Sequence, residues 1–258
     1  MSLRRSFAIA GTELRIVARP PGSILTLILM PLLMIAFFKP MFRATLEAEG
    51  YSGATGSEQA VPGLSVLFAL FLVTFVGYAF FQEHGWGTWP RLLASPAAPS
   101  EIMVGKVVPA ALVAIVQQVV LFGASALLLD LHIEGSLVAL GALVIALTVC
   151  LVALGLLCAA YLNSMQQLNT LGNLGVILIG GLGGGLAPVA LLPGWAQAVA
   201  PFVPSYWAIR GYREVVLEPA GIGDVLTPIL VLFGIATAAA GLGVRRFRFD
   251  EVKKGWLI

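Results

Sequence analysis

Residues 137–162 read LVALGALVIALTVCLVALGLLCAAYL, and this stretch of 26 residues contains no charged side chain. A helix rises about 1.5 Å per residue, so about 20 apolar residues cover the roughly 30 Å hydrocarbon core of a bilayer. Five other stretches have the same apolar, uncharged character. They are residues 23–38, 63–81, 107–129, 171–192 and 225–244. The pattern predicts an all-α integral membrane protein in which six transmembrane helices form a single domain over residues 1–258.

The composition agrees with a chain that lies mostly in lipid. Of the 258 residues, 59% are hydrophobic and 11% are charged, whereas soluble domains carry about 25% charged residues. The two cysteines, Cys150 and Cys158, lie on one predicted helix, which separates them by about 12 Å and excludes a disulfide between them. The two histidines, His84 and His132, fall in separate loops, so the sequence predicts no metal site.

The basic residues are distributed unequally between the two sides that six spans would define. Cytoplasmic loops collect Lys and Arg, and 11 of the 15 basic residues lie on the side that holds both termini. The opposite side holds 8 of the 13 acidic residues. This asymmetry predicts a multi-pass protein with both termini in the cytoplasm. Because no small-residue cleavage site follows the first apolar run, we expect that run to be a retained span rather than a signal peptide.

Residues 1–22 are predicted to form an amphipathic helix along the inner membrane surface. Its apolar residues recur at steps of three and four, which places them on one helix face; they are Leu3, Phe7, Ala10, Leu14 and Val17. Its basic residues can face lipid phosphates or water; they include Arg4, Arg15 and Arg19. Pro20-Pro21-Gly22 then breaks the helix before the first span. The alternative is that these residues are only the positively charged flank of that span.

The loop at residues 83–99 is the most distinctive one on the predicted cytoplasmic side. It contains the sequence EHGWGTWPRLLASP at residues 83–96. Thr88 is predicted to be the N-cap of a short helix that begins near Trp89, and two later prolines end that helix. A short amphipathic helix in this place either docks in a groove of another protein or is a tight connector on the membrane surface.

Two segments on the predicted outer side differ from each other. Residues 39–62 are rich in Gly, Ser, Ala and Glu and are predicted to be a solvated loop. Residues 193–217 are apolar but are divided by prolines into pieces too short to span a membrane. We predict two short helices there, at residues 195–200 and 205–217, in a re-entrant hairpin, because broken helices at membrane depth must be buried in protein or line a cavity.

The glycines of residues 171–192 predict close packing against a neighbouring helix.

Several kinds of chemistry are missing from the sequence. It contains no G-x-x-x-x-G-K-[ST] phosphate loop, so this chain is not expected to hydrolyse ATP through that motif. The predicted spans contain no ionisable residue at their centres, which argues against a proton-coupled carrier. No nucleophile and base with the spacing of a known hydrolase motif occurs, so an enzyme is disfavoured. A bundle of this kind needs another protein to drive any active transport.

Three stretches together resemble the permease subunits of ABC-2-type ABC transporters, which have the type V exporter fold, in the drug and polysaccharide exporter branch. Residues 83–96 resemble the family loop E-x-G-T-L-E-R-L-x-x-[ST]-P, and residues 105–106 match the Gly-Lys pair that often follows it. Residues 193–213 resemble the re-entrant segment LPGWLQ…NPLTYA…R. The third stretch is the N-terminal amphipathic helix. Because the order and spacing of the spans also agree, the resemblance covers nearly the whole chain.

The chain departs from the family pattern at four positions. Gly85 stands where the loop usually has glutamate, and His84 stands where it usually has arginine. Pro90 replaces a residue that is commonly acidic, and Val203 replaces an asparagine that often precedes the proline. If the missing acid normally pairs with the ATPase, that contact is either weakened in this chain or made by Glu83.

The resemblance implies a permease that works in a bilayer with two copies of an ATP-binding subunit and with a second permease, identical or related. ATP and Mg²⁺ would bind to the partner, with no cofactor in this chain and no nucleic acid involved. The coupling helix at residues 83–99 would sit in a groove on the ATPase; its implied contact residues are Glu83, Gly87, Thr88, Arg91, Leu92, Ser95 and Pro96. The re-entrant segment at residues 193–217 would be an outer gate; its implied residues are Pro193, Trp195, Pro204, Tyr206 and Arg213. The implied location is the bacterial inner membrane.

Several functions are compatible with these features. The first is export of a hydrophobic or amphipathic molecule, such as a drug or a lipid-like compound, along the permease interface near the second and fifth spans. Export of a polysaccharide is an alternative within the same family. A membrane scaffold or assembly protein that transports nothing is an alternative from another class, and it would need no helix that binds an ATPase.

Overall fold

The computed structural model describes residues 3–18 and 21–246, and these residues fold mainly into helices. These residues contain α1 (Leu3–Ala18), α2 (Pro21–Ala48), α3 (Ser57–Ala69), α4 (Phe71–Gly85), α5 (Trp89–Leu93), α6 (Pro99–Leu128), α7 (Leu137–Tyr161), α8 (Met165–Leu182), α9 (Gly194–Val199), α10 (Pro204–Leu217) and α11 (Leu226–Arg246). Short 3₁₀ turns occur at Val189–Leu191 and Ala200–Phe202. No β-strand occurs within the described ranges, and the predicted all-α class is confirmed.

Five helical stretches of the described chain are long and apolar enough to cross a bilayer. They are Leu27–Ala48, Ser57–Gly85, Pro99–Leu128, Leu137–Tyr161 and Leu226–Arg246. The second of these joins α3 and α4 at Leu70, whose dihedral angles (φ −57°, ψ −25°) are those of a right-handed helix. The predicted span at residues 171–192 corresponds to α8, which is shorter and begins with polar residues. The count of six spans therefore stays a prediction.

Helix α7 packs against four other helices, α4, α6, α10 and α11. Its inward side chains are almost completely buried; they include Leu143, Leu147, Cys150 and Leu151. A Cβ atom at Gly155 would lie 2.7 Å from the Cβ atom of Val76 in α4. Small residues that let helices approach this closely are the usual packing device in lipid, where burial of apolar surface adds little.

The bundle has two ends, which we call the α1 end and the opposite end. The α1 end contains α1, the last turn of α4, the short helix α5 and the first turns of α6, which is the helix that α1 packs against. The opposite end contains the last turns of α2, the first turn of α3, the last turn of α6 and α10. There the Lys39 ammonium donates hydrogen bonds to the carbonyl of Leu129 (2.7 Å) and to the carboxylate of Asp130 (3.0 Å).

The prediction of a solvated loop over residues 39–62 is wrong at both of its ends. Helix α2 continues to Ala48 through Pro40, and α3 already begins at Ser57. The side chains of Phe42 and Leu46 lie one helical turn apart, and both are buried against the neighbouring α3. This burial stabilises almost three extra turns of α2 that a composition rich in polar and small residues does not predict.

The apolar segment 171–192 also differs from its prediction, because the helix begins at Met165 and ends at Leu182. Three consecutive glycines follow, and Gly184 has a left-handed backbone (φ 95°) that stops the helix. The predicted close packing is present at this point. A Cβ atom at Gly63 would lie 2.8 Å from the carbonyl oxygen of Gly185, so the two backbones nearly touch.

Residues 193–217 form the two short helices that the proline pattern predicts, α9 and α10. Helix α10 packs against α3, α7, α8 and α11. Tyr212 of α10 is completely buried, with its ring 5.1 Å from that of Phe122 and nearly perpendicular to it. The prediction of two helices is confirmed, and their re-entrant placement in a membrane stays a prediction.

Candidate functional site

Helix α1 packs along α6, as a distinct helix rather than an irregular flank. The close contact depends on Gly105 of α6, where a Cβ atom would lie 2.7 Å from the Cβ atom of Ile9 and 3.1 Å from the carbonyl oxygen of Ser6. The α1 side chains buried in this contact are Ser6, Ala10 and Glu13. Helix α1 therefore buries a small and polar face in the protein.

The apolar face predicted for α1 points mostly away from the protein. Phe7 is 69% exposed and Leu14 is 38% exposed. Arg4 and Arg15 are exposed as well, whereas Arg19 and the side chains of Leu3 and Val17 lie outside the described part. An exposed apolar stripe beside basic residues is the pattern of a helix that lies in a membrane interface.

Lys106 follows Gly105 and is the most deeply buried charged residue in this region, with a side chain that is 0% exposed. Its ammonium group donates hydrogen bonds to Glu13 Oε1 (2.6 Å), Glu83 Oε1 (2.9 Å) and the carbonyl oxygen of Ala79 (2.7 Å). An ammonium group has three donors, and each has a partner here. This arrangement is what a buried charge requires, because removal of one partner from such a group costs about 3–5 kcal/mol.

The second oxygen atoms of the two carboxylates have partners too. Gln82 donates a hydrogen bond from Nε2 to Glu13 Oε2 (3.3 Å), and the Thr88 hydroxyl donates to Glu83 Oε2. We call Glu13, Glu83 and Lys106, together with these two donors, the Lys106 cluster. It joins α1, α4, α6 and the loop before α5, and its two carboxylates and one ammonium group give it one excess negative charge.

The loop between α4 and α5 has a fixed course. Gly87 has a left-handed backbone (φ 66°), which explains why a glycine suits this position. The backbone N–H of Thr88 donates to the carbonyl of Glu83 (3.0 Å). Thr88 is the N-cap residue of α5, as predicted, but its hydroxyl donates a hydrogen bond back to Glu83 and accepts none from the first turn of the helix.

Helix α5 begins at Trp89, close to the predicted start, and ends at Leu93. The buried Trp89 ring stacks on the His84 ring at 4.7 Å, with an angle of 25° between the planes. The opposite side of α5 is exposed at Pro90 and Arg91. Arg91 makes no ion pair with the described residues, so its guanidinium group is available to another molecule.

The segment after α5 is held against α1 and against itself. Ser95 donates a hydrogen bond from its hydroxyl to the carbonyl of Leu92 (2.7 Å). The carbonyl of Pro96 accepts a hydrogen bond from Nη1 of Arg5 (2.6 Å), which is a second contact between α1 and this loop. The coupling residues predicted from the sequence therefore lie together at the α1 end, on α5 and on its two flanks.

The residues of the predicted outer gate lie at the opposite end, far from that site along the chain and in the bundle. Arg213 Nη2 forms an ion pair with Glu49 Oε2 (2.6 Å) at the end of α2. Tyr206 and Arg213 line a cavity of about 280 Å³. Trp195 does not line it and is 68% exposed. Burial raises the pKa of the Tyr212 hydroxyl, on the same helix α10, so that group stays neutral.

Sequence reasoning missed Glu13 as a site residue. A glutamate in an amphipathic helix is ordinarily solvated, and the pairing with Lys106 spans 93 residues of sequence. One signal was available. Gly105 and Lys106 are adjacent, and a glycine that lets a helix approach, followed by a lysine near the start of a span, indicates a nearby acid on the approaching helix.

Five described helices that are long and apolar enough to cross a bilayer define the class of this chain as a multi-pass membrane protein. Residues 6–217 match the family described as ABC-2 type transporter, and the chain belongs to that family as an ABC transporter permease. Over 198 residues it is 29% identical to the linearmycin resistance permease protein LnrN of Bacillus subtilis (strain 168). The aligned region covers 75% of this chain and 51% of LnrN, so the chain spans about half the length of this curated relative.

Proposed function

We propose that this chain is the membrane subunit of an ATP-driven exporter in the bacterial inner membrane. The observation that carries the proposal is α5, a short helix with a buried Trp89 and an exposed Arg91 that pairs with no acid of the described chain. A surface of this kind suits a groove on a partner that supplies the energy. ATP and Mg²⁺ would bind to that partner.

The proposed assembly contains two ATP-binding subunits and a second permease, identical or related. The α1 end would face the cytoplasm, where α5 meets the ATPase and the stripe with Phe7 and Leu14 lies on the membrane. The opposite end, with α9, α10 and the cavity beside Arg213, would form the outer gate. The exposed arginines at the α1 end support this orientation.

The proposed cargo is a hydrophobic or amphipathic molecule of the drug or lipid-like class. Helix α8 supports a path along the permease interface, because it carries a row of exposed apolar side chains; they are Leu171, Leu174, Ile177 and Leu178. The name of LnrN records resistance to an antibiotic, which supports a cargo of that class. The span Ser57–Gly85 is mostly buried within the chain, so α8 supports the path more directly than the second span.

The proposal is tested by purifying the tagged chain from its native membrane in mild detergent, with identification of bound proteins and an ATPase assay. We expect a stoichiometric partner that carries the G-x-x-x-x-G-K-[ST] loop and hydrolyses ATP. The Lys39→Met variant, altered at the opposite end, should retain the partner. If no ATP-binding protein is bound after chemical cross-linking in the membrane, the exporter proposal is wrong and a scaffold function replaces it.

A further inference from the structure

The Lys106 cluster attaches α1 to the α5 region, although α1 has no covalent connection near α5. Helices α4 and α6 are continuous with the two flanks of α5, so any movement of α5 reaches them through the backbone. Helix α1 is different, because its last residue, Ala18, precedes Thr88 of the α5 loop by 70 residues of sequence. Its attachment to this region depends on noncovalent contacts, and α1 in turn precedes α2, the helix of the first span.

Polar contacts join α1 to the α5 region both inside the protein and at its surface. Inside, Glu13 binds Lys106 (2.6 Å) and accepts a hydrogen bond from Gln82 (3.3 Å). At the surface, Arg5 binds the carbonyl of Pro96 (2.6 Å) and forms an ion pair with Glu101 (3.9 Å). Arg5 has a side chain that is 51% exposed, whereas the Lys106 side chain is 0% exposed. A surface contact is weakened by water and salt, so the buried pair is the stronger of the two.

We propose that Lys106 is the positioning residue that transmits the movement of α5 to α1 and thereby to the first span. The relay runs from the α5 loop through the Thr88 hydroxyl to Glu83, then to the Lys106 ammonium group and to Glu13 of α1. Separation of any partner would leave a buried charge unpaired, so α1, α4 and α6 move as one body at this end. The inference rests on the proposed function, since the ATPase is what moves α5.

The competing explanation is that the cluster only holds the fold together. A single Lys106→Met substitution cannot separate the two explanations, because it would leave two carboxylates buried beside each other. The double variant Glu13→Gln, Lys106→Met removes the buried ion pair as a unit, and Glu83, an implied contact of the ATPase, keeps its carboxylate and its Thr88 donor. Replacement of a buried ion pair by neutral side chains of similar size is commonly tolerated, so we expect this variant to insert and to bind its ATPase.

The measurement is the nucleotide response of one environment-sensitive fluorophore on the first span. The label is attached at Phe37→Cys, a position in α2 that is 80% exposed, after Cys150→Ala and Cys158→Ala. The purified complex in nanodiscs is compared without nucleotide and with ATP and vanadate, and its ATPase rate is measured in the same sample. In the otherwise unchanged chain we expect an ATP-dependent shift of emission.

In the double variant we expect the emission shift to be lost while ATP hydrolysis and partner binding persist. Glu13→Gln alone leaves Lys106 paired with Glu83, so the chain should still insert and bind its ATPase, and the shift should be reduced. The control is Lys39→Met, because Lys39 also binds one carboxylate and one carbonyl, but at the opposite end; it should keep the full shift.

A double variant with the full emission shift would overturn the inference and leave the exporter function standing. The inference would also be overturned if Glu13→Gln kept the full emission shift and Lys39→Met lost the emission shift. Failure of the proposed function is recognised separately, because the unsubstituted chain would then bind no ATPase and show no nucleotide response at all.

Discussion

Gly105 is the residue at which the packing of α1 is most sensitive to a single added carbon atom. In Gly105→Ala the new Cβ atom would lie 2.7 Å from the Cβ atom of Ile9 and 3.1 Å from a backbone oxygen, and neither can rotate away. Overpacking of this kind costs about 1–3 kcal/mol. We expect a lower midpoint of thermal unfolding in detergent and a greater susceptibility of α1 to protease.

Gly123 is the matched control, since it lies on the same helix and a Cβ atom added there would meet nothing within 4 Å. There the exchange of glycine for alanine removes backbone freedom without a clash and stabilises a helix by up to about 1 kcal/mol. Gly105→Ala and Gly123→Ala should therefore shift the unfolding midpoint in opposite directions. Equal shifts would show that α1 does not pack on α6 as described.

The structure around α5 could be predicted from the sequence to different degrees. Gly87 as a loop motif residue and the start of the short helix near Trp89 were predictable, because motif position and turn chemistry are local properties. Glu13 was not, because its role depends on where a distant lysine lies in space. Thr88 is the N-cap residue of α5, as predicted, but its side-chain partner was not predictable: the hydroxyl donates to the charged carboxylate of Glu83, a strong acceptor, and accepts no N–H of the first turn.

At the scale of elements, α5 is the part that we expect to contact the ATPase. Arg91 is exposed on this helix and pairs with no described acid, so Arg91→Glu should leave the chain folded and inserted. Loss of a charged contact in an interface costs about 2–5 kcal/mol. We expect at least about a thirtyfold weaker association with the ATPase, measured by titration of the purified subunits in nanodiscs, and a loss of transport per ATP hydrolysed.

Arg245→Glu is the control for that experiment, because Arg245 is also exposed at the α1 end but lies on α11, away from α5. It changes the charge of the same end by the same amount. If both reversals weaken association equally, the effect is a general one of charge, and α5 is not the specific contact.

The elements were predictable where apolar periodicity or prolines decided the structure, as in α7 and in the α9–α10 pair. Helix ends were not. Helix α2 extends to Ala48 because Phe42 and Leu46 are buried against a neighbour, and α8 ends at Leu182 because Gly184 adopts a left-handed backbone. The first effect comes from tertiary packing, and the second depends on a glycine conformation that a run of glycines allows but does not require.

At the scale of the whole molecule, two polar regions lie at opposite ends of the bundle. The Lys106 cluster lies at the α1 end, and the Arg213–Glu49 ion pair lies at the opposite end. Hydropathy predicted the membrane class, and charge asymmetry predicted which end faces inward. Neither predicts which polar residues meet, because contacts between ends of different helices depend on how the helices are packed. The orientation of the two ends is the prediction on which every assigned role depends.

That orientation can be tested by cysteine labelling in intact cells. In a chain carrying Cys150→Ala and Cys158→Ala, Ser52→Cys introduces a thiol at the opposite end and Ala94→Cys introduces one beside α5; both positions are exposed. A membrane-impermeant maleimide should label the Ser52→Cys chain in intact cells and should label the Ala94→Cys chain only after permeabilisation, because basic residues keep the α1 end inside. The reverse pattern would place α5 outside the cell, where no ATP-binding subunit could meet it.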